Sequence, residues 1–129
     1  MKIFRNPTDI HAPQGFYTHQ TELQGPERLL VISGQVGARP DGTIPEDPME
    51  QLDLVLANIG GNLRAAGMDY ADVFKISYFL VGDIDLPRLR EKMRACFGGT
   101  PPCSTMVFVS RLAAPVYKVE IEAWASRGE

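Results

Sequence analysis

Tyr117-Lys-Val-Glu-Ile-Glu-Ala-Trp-Ala125 reads as a β-strand with two unlike faces. With the period-two alternation of a strand, Tyr117, Val119, Ile121, Ala123 and Ala125 share one face, which is a core face. Lys118, Glu120, Glu122 and Trp124 share the other. That second face is too apolar for plain solvent and too charged for a core. A face of this kind suits a junction with another chain, with a polar site enclosed where the two meet.

Working outward, Ser104–Val109 and Val73–Leu80 read as strands, and Val73, Lys75, Ser77 and Phe79 form a second mixed face. Leu29-Leu-Val-Ile-Ser-Gly-Gln35 reads as a buried strand, followed by a Gly- and Pro-rich loop from Gly37 to Pro45. Weaker strands are expected near Lys2–Arg5 and Phe16–Gln20. Two helices have clear start and stop signals. Asp47, Pro48 and Glu50 open the first as an Asp-headed capping box. Leu52, Leu56, Ile59 and Leu63 form its apolar stripe, and Gly67 ends it. Gly60 and Gly61 inside it point to close approach of the helix to a sheet. Asp85 opens the second helix, about Leu86 to Phe97, with Leu86, Leu89, Met93 and Phe97 on one stripe and Gly98-Gly99 as the stop. The order β-β-β-α-β-α-β-β with only two helices predicts an α+β fold. Both helices cover one face of the sheet, and the other face is wet or covered by a partner.

Length and composition fit a single domain over residues 1–129. The formal net charge of −3 offers no attraction to nucleic acid or to anionic membrane. Apolar runs fall well short of the roughly 18 residues a bilayer span needs, and the N-terminus has no apolar segment of a secretory signal. Cys96 and Cys103 are the two cysteines, without metal-ligand or redox spacing, and predict free thiols in a reducing, cytoplasmic setting.

The chemistry-bearing residues are few. His11 and His19 have no ligand partners at metal-site spacing, so a structural or exposed role is expected and no metal. Cys96 reads as a small core residue. Arg88, Arg90 and Arg94 form a basic stripe on the second helix, read as a solvated face. No nucleophile elbow, zinc motif or dinucleotide fingerprint is present. Glu120 and Glu122 are better placed, because side chains two apart on one strand lie roughly 6.5–7 Å apart and can share one pocket.

Ile32-Ser-Gly-Gln-Val36, Asn62-Leu-Arg-Ala-Ala-Gly67, Val73-Phe-Lys-Ile-Ser-Tyr-Phe-Leu80 and Val119-Glu-Ile-Glu-Ala123 together resemble the YjgF family, also called the Rid (reactive intermediate deaminase) family. Ala12-Pro-Gln-Gly-Phe-Tyr17 is similar to the family's N-terminal Gly-Pro-Tyr element, with Phe16 in place of its Pro. The resemblance covers nearly the whole chain in order. It implies a chorismate-mutase-like α+β fold with a mixed β-sheet, assembled as a homotrimeric barrel with small-molecule clefts between subunits. It also implies hydrolysis of enamines and imines, such as 2-aminoacrylate, to keto acids and ammonia without a cofactor.

By the same resemblance, Glu120 corresponds to the water-orienting glutamate, Tyr17 to the tyrosine of the cleft, and Ser33 and Gly34 to a pocket-lining turn. Pro102-Cys-Ser-Thr105 occupies the motif Pro-Ala-Arg-Ser, whose arginine holds a substrate carboxylate in archetypal members. Ser104 therefore stands where that arginine belongs, or Cys103 with the register slipped by one. Arg90 corresponds to a position often occupied by Asn; it and Arg111 are the candidate replacements for the missing charge. Three functions follow as expectations. One is a hydrolytic deaminase with an altered substrate. Another is a non-catalytic trimer that binds a small metabolite. The third is a platform for a protein partner.

Overall fold

A computed structural model describes residues 1–128. Its strands are β1 (Lys2–Arg5), β2 (Gln20–Leu23), β3 (Glu27–Val36), β4 (Val73–Leu80), β5 (Cys103–Phe108) and β6 (Val119–Gly128). The helices are α1 (Pro48–Ala65) and α2 (Leu86–Phe97), with a 3-10 turn at Tyr70–Asp72 leading into β4. The main sheet is mixed, in the order β3-β6-β4-β5. β6 runs antiparallel to β3 and to β4, and β5 runs parallel to β4. A parallel pair needs a crossover, and α2 supplies it. β1 and β2 pair antiparallel as a separate ribbon. This is the expected α+β architecture, with two helices on one face of a mixed sheet.

The helix ends follow from their sequences. Asp47 Oδ1 accepts from Met49 N at 3.0 Å with Pro48 in the first turn, a simple N-cap in place of the expected capping box with Glu50, and Asp85 Oδ1 accepts from Arg88 N at 3.1 Å. At the end of α1, Met68 N donates to Leu63 O and Gly67 N to Arg64 O, with Gly67 at φ 69°. That is a Schellman motif, and its left-handed position is the one glycine fills without strain.

The core lies between the helices and one sheet face. Leu52, Val55, Ile59 and Leu63 of α1 and Leu89 and Met93 of α2 meet Ile76, Leu80, Val119, Ile121, Ala123 and Ala125, all at most 1% exposed. Each large aliphatic side chain buried this way is worth about 1.5–3 kcal/mol. The alternation read along Tyr117–Ala125 holds from Val119 onward. Val119, Ile121, Ala123 and Ala125 are buried, whereas Trp124 on the opposite face is exposed.

Four local expectations need correction. Val73 does not share a face with Lys75: the register with β6 shifts between them, so Phe74 is an extra bulged residue and Val73 turns into the core. β3 is not buried throughout. As an edge strand over an uncovered sheet face it leaves Leu29 56% and Val31 57% exposed, while Ile32 is buried. The second N-terminal strand begins at Gln20, not Phe16. Thr18 sends its N–H to Pro102 O and its hydroxyl to Pro101 O, so the segment before Gln20 is tied to the approach of β5 and not to a ladder. Gly60 makes room for Tyr70 and not for the sheet. A Cβ there would stand 2.3 Å from the Tyr70 hydroxyl, which donates to Leu56 O at 2.7 Å.

Candidate functional site

The loop ahead of β2 is built to hold Tyr17. Gln14 N donates to the Tyr17 hydroxyl at 3.1 Å, and Tyr17 N bonds Gly15 O at 3.1 Å. The His19 ring meets the Tyr17 ring edge-on at 5.4 Å between centroids and the His11 ring at 4.9 Å. His19 Nε2 lies 2.8 Å from His11 O. The two histidines thus brace the aromatic side of the loop. Thr18, buried behind it, is the staple to Pro101 and Pro102. Two segments about 85 residues apart in sequence are thereby set side by side, with Tyr17 next to the start of β5.

A cavity of about 200 Å³ opens at this junction. Phe16, Leu89 and Met106 give it apolar walls, and Tyr17, Tyr78, Arg90 and Ser104 give it polar groups. The sheet register explains which β5 residues reach it. Ser104 pairs with Ile76 and Met106 with Tyr78, so both point to the helix-covered face. Tyr78 is 3% exposed, and its ring brings a hydroxyl to the cavity lining. Burial pushes that hydroxyl well above the ordinary phenol range, partly offset by the nearby Arg90 charge, so it stays a donor at neutral pH.

Glu120 lies elsewhere. Its cross-strand neighbours are Val36 on β3 and Phe79 on β4, on the sheet face away from the helices. There the β3 register shifts between Ile32 and Gln35, which makes Ser33-Gly34 a bulge. A Cβ on Gly34 would stand 2.2 Å from Glu120 Oε2, so the carboxylate rests on bare backbone. Glu122 shares this face, opposite Ser77.

The candidate residues therefore fall into separate places. Tyr17, Arg90 and Ser104 meet in the cavity, while Glu120 and Gly34 meet on the open face with Ser33 exposed beside them. Cys103 is on the open face but at the far end of the sheet, opposite Lys75, with its sulfur 3.2 Å from Thr21 Oγ1. Arg90 is half-buried in the cavity wall, unlike the exposed Arg88 and Arg94, so the solvated-stripe reading fails at its middle member. Arg111 is turned into its own loop, bonding Leu112 O at 3.2 Å and Ala113 O at 3.4 Å.

Two polar residues escaped the sequence reading. Tyr78 sits on the core face of β4 among aliphatic residues, and a phenol in such a place needs a destination for its hydroxyl. Gln51 is fully buried on α1. Its Nε2 donates to Pro45 O and Val116 O, and its Oε1 accepts from Lys118 N, which ties the β5–β6 loop to α1 just ahead of Glu120. A glutamine on an otherwise apolar helix stripe was the available signal.

Residues 9–127 match the protein family described as Endoribonuclease L-PSP. The 2-iminobutanoate/2-iminopropanoate deaminase of Mus musculus is 34% identical over 123 residues, covering 94% of this chain and 88% of its own. The chain belongs to the YjgF/Rid family. Among solved Rid structures, YyfB of Yersinia pestis, a member of the conserved Rid protein family, superposes with a TM-score of 0.85 at 30% identity over 96% of this chain and 97% of its own. E. coli TdcF, crystallised with bound serine, gives a TM-score of 0.70 at 31% identity over 78% and 81%. The Rid fold is thus the frame on which cavity and open face are built, and reactive-intermediate deamination is the role found at family level. No helix of this Rid protein, among the described residues, is long and apolar enough to cross a membrane.

Proposed function

We propose that the protein is a hydrolytic deaminase of a small enamine or imine, working without a cofactor as a homotrimer whose sites lie between subunits. The observation that carries this is the division of the candidate residues between two faces of one sheet. Ser104, Tyr17 and Arg90 face the helix side, whereas Glu120 points to the opposite face. One protomer cannot aim both sets at one ligand. β5 is an edge strand, so the cavity beside it lies at the margin of the protomer, where the open face of a second copy can close it. That open face carries Leu29, Val31, Val107 and Trp124, each at least 39% exposed, which is the apolar surface such an assembly would bury.

In this reading the substrate sits in the cavity of one subunit with its C=N carbon turned toward the Glu120 carboxylate of the next. Glu120 accepts a proton from water as the oxygen attacks that carbon. That proton passes to the nitrogen to give the neutral carbinolamine; the carbinolamine's hydroxyl proton then moves to the nitrogen as the C–N bond breaks, and ammonia leaves a carbonyl product behind. The mouse relative named for 2-imino acids and the small amino acid bound to TdcF support a substrate of this size. Non-catalytic binding of a small metabolite is the second reading. It is favoured by the uncharged Ser104 at the position where the resemblance sets an arginine.

The test is ammonia release from imines generated in place by an amino-acid oxidase, with an arginine-containing family member as control. Acceleration over the spontaneous rate is expected. None with any imine, while small acids still bind, would leave the binding reading. Incubation with RNA addresses the family's endoribonuclease description, and defined cleavage products would overturn the deaminase reading. Light scattering should give about three times the 14.3 kDa chain mass. Leu29→Lys combined with Val31→Lys should bring it down toward one. A wild-type protein that stays monomeric at micromolar concentration would sink the shared-site proposal.

A further inference from the structure

We propose that Arg90, assisted by the Tyr78 hydroxyl, is the anion clamp of the cavity and selects a small monocarboxylate. This rests on the cavity being the ligand site, as in the reading above, but not on the ligand being hydrolysed. Arg90 emerges from α2 next to the buried Leu89 and passes under the 14–17 loop. A Cβ built on Gly15 would stand 3.8 Å from Arg90 Nε. Its guanidinium has neither an ion pair nor a hydrogen bond among the described residues. Arg5 and Arg127 by contrast pair with Glu22 and with Asp72. No Asp or Glu lines the cavity. A half-buried positive charge without a counter-charge is costly to keep, and a bound anion would relieve that cost.

Tyr78 supplies the second, independent observation. It is 3% exposed and lines the same cavity, to whose space its hydroxyl is open. A hydroxyl open to a cavity can donate to a ligand acceptor there. A planar guanidinium fork beside one or two hydroxyl donors matches the two oxygens of a carboxylate. One positive charge balances a monoanion and not a phosphate dianion. The volume of about 200 Å³, with Phe16, Leu89 and Met106 as walls, admits a short apolar tail and little more. Arg111 is no competitor within the protomer, because it does not line the cavity and turns toward the carbonyls of its own loop.

The test is direct binding, read by calorimetry on the intact protein, with pyruvate and 2-oxobutanoate as probes. Pyruvamide is the uncharged control and inorganic sulfate the dianion. Wild type should bind the two keto acids and discriminate against both controls. Arg90→Gln should weaken keto-acid binding by roughly 10- to 150-fold, the range for losing a charge-assisted hydrogen bond. Tyr78→Phe should weaken it several-fold, and Arg111→Gln should leave it as in wild type. Ser104→Arg placed on the Arg90→Gln background should restore binding, since it returns a guanidinium to the same cavity. Thermal melting of each variant separates loss of binding from loss of fold. Undiminished binding in a folded Arg90→Gln protein, or wild type that binds the amide as well as the acid, overturns the clamp. Binding that depends on Arg90 in a protein that hydrolyses no imine would keep the clamp and reject only the deaminase reading.

Discussion

The Glu120 carboxylate lies against the backbone of Gly34, and a Cβ at that glycine would stand 2.2 Å from Glu120 Oε2. Gly34 is exposed and has no positive φ, so its lack of a side chain serves the neighbouring carboxylate and not its own backbone. Gly34→Ala should therefore push the end of the Glu120 side chain aside at little cost to the fold, within about 0.5 kcal/mol. Turnover of whichever imine is a substrate should fall, with the melting temperature nearly unchanged. Equal turnover in the two proteins would mean that the position of this carboxylate does not matter to the reaction.

Removing the charge without moving the side chain is the complementary experiment. Glu120→Gln keeps the shape that fits over Gly34 but cannot take a proton from water. General-base assistance is worth about 10²–10⁴-fold, so turnover should drop by that order while the assembly persists. Glu122, opposite Ser77 one step further along the strand, has no glycine cleared for it. Glu122→Gln should lose much less. Comparable losses in both would assign the effect to the charge of the face as a whole.

Much of this arrangement was legible in the sequence where one local rule decided it. The α2 boundaries and the capping residues of both helices came from Asp, Pro and Gly at fixed offsets, and the core face of β6 came from strict alternation. What escaped was set by register and by contacts between distant segments. A single bulged residue, Phe74, turned Val73 to the other face, and no propensity reports such an insertion. The start of β2 moved because Thr18 found carbonyls some 83 residues away. The resemblance implies clefts between subunits but does not say which candidate residues share a face. Only the parity of the strands, Ser104 with Ile76 and Glu120 with Phe79, shows that they face opposite ways.

Cys96 gives the fold a signature at alkaline pH. It packs half-buried against the core beside Tyr70, and burial pushes its thiol up to about 11 from an ordinary 9.0. The folded chain therefore holds its proton where the unfolded chain has begun to lose it. The unfolded state then binds fewer protons, and stability declines as pH rises. The contribution is whole below about pH 9 and is lost by about pH 11. The urea midpoint should fall across that window, and Cys96→Ala should flatten the fall. Tyr70 and Tyr78, both raised by burial, account for the slope that remains above the ordinary phenol value. An unchanged slope in Cys96→Ala would show that the thiol does not titrate in that range.

The opposed faces of Ser104 and Glu120 allow a test that no single variant offers. Ser104→Phe fills the cavity whatever its ligand, and Glu120→Gln disables the open face. Each homomer should be inactive if both halves are needed. In mixed assemblies a cavity from a Glu120→Gln chain can meet an intact Glu120 from a Ser104→Phe chain. With equal amounts and random mixing, each shared site draws its two halves independently, so about a quarter of the sites are whole. Mixing after dissociation and reassembly should therefore restore roughly a quarter of wild-type turnover, and mixing without subunit exchange should restore none. A site contained in one chain predicts no recovery under either condition. Size measurements on each homomer ensure that silence reflects chemistry and not failed assembly. Recovery that tracks subunit exchange would place the two halves of the site on different chains, and its absence in well-assembled mixtures would refute the shared site while leaving the cavity itself intact.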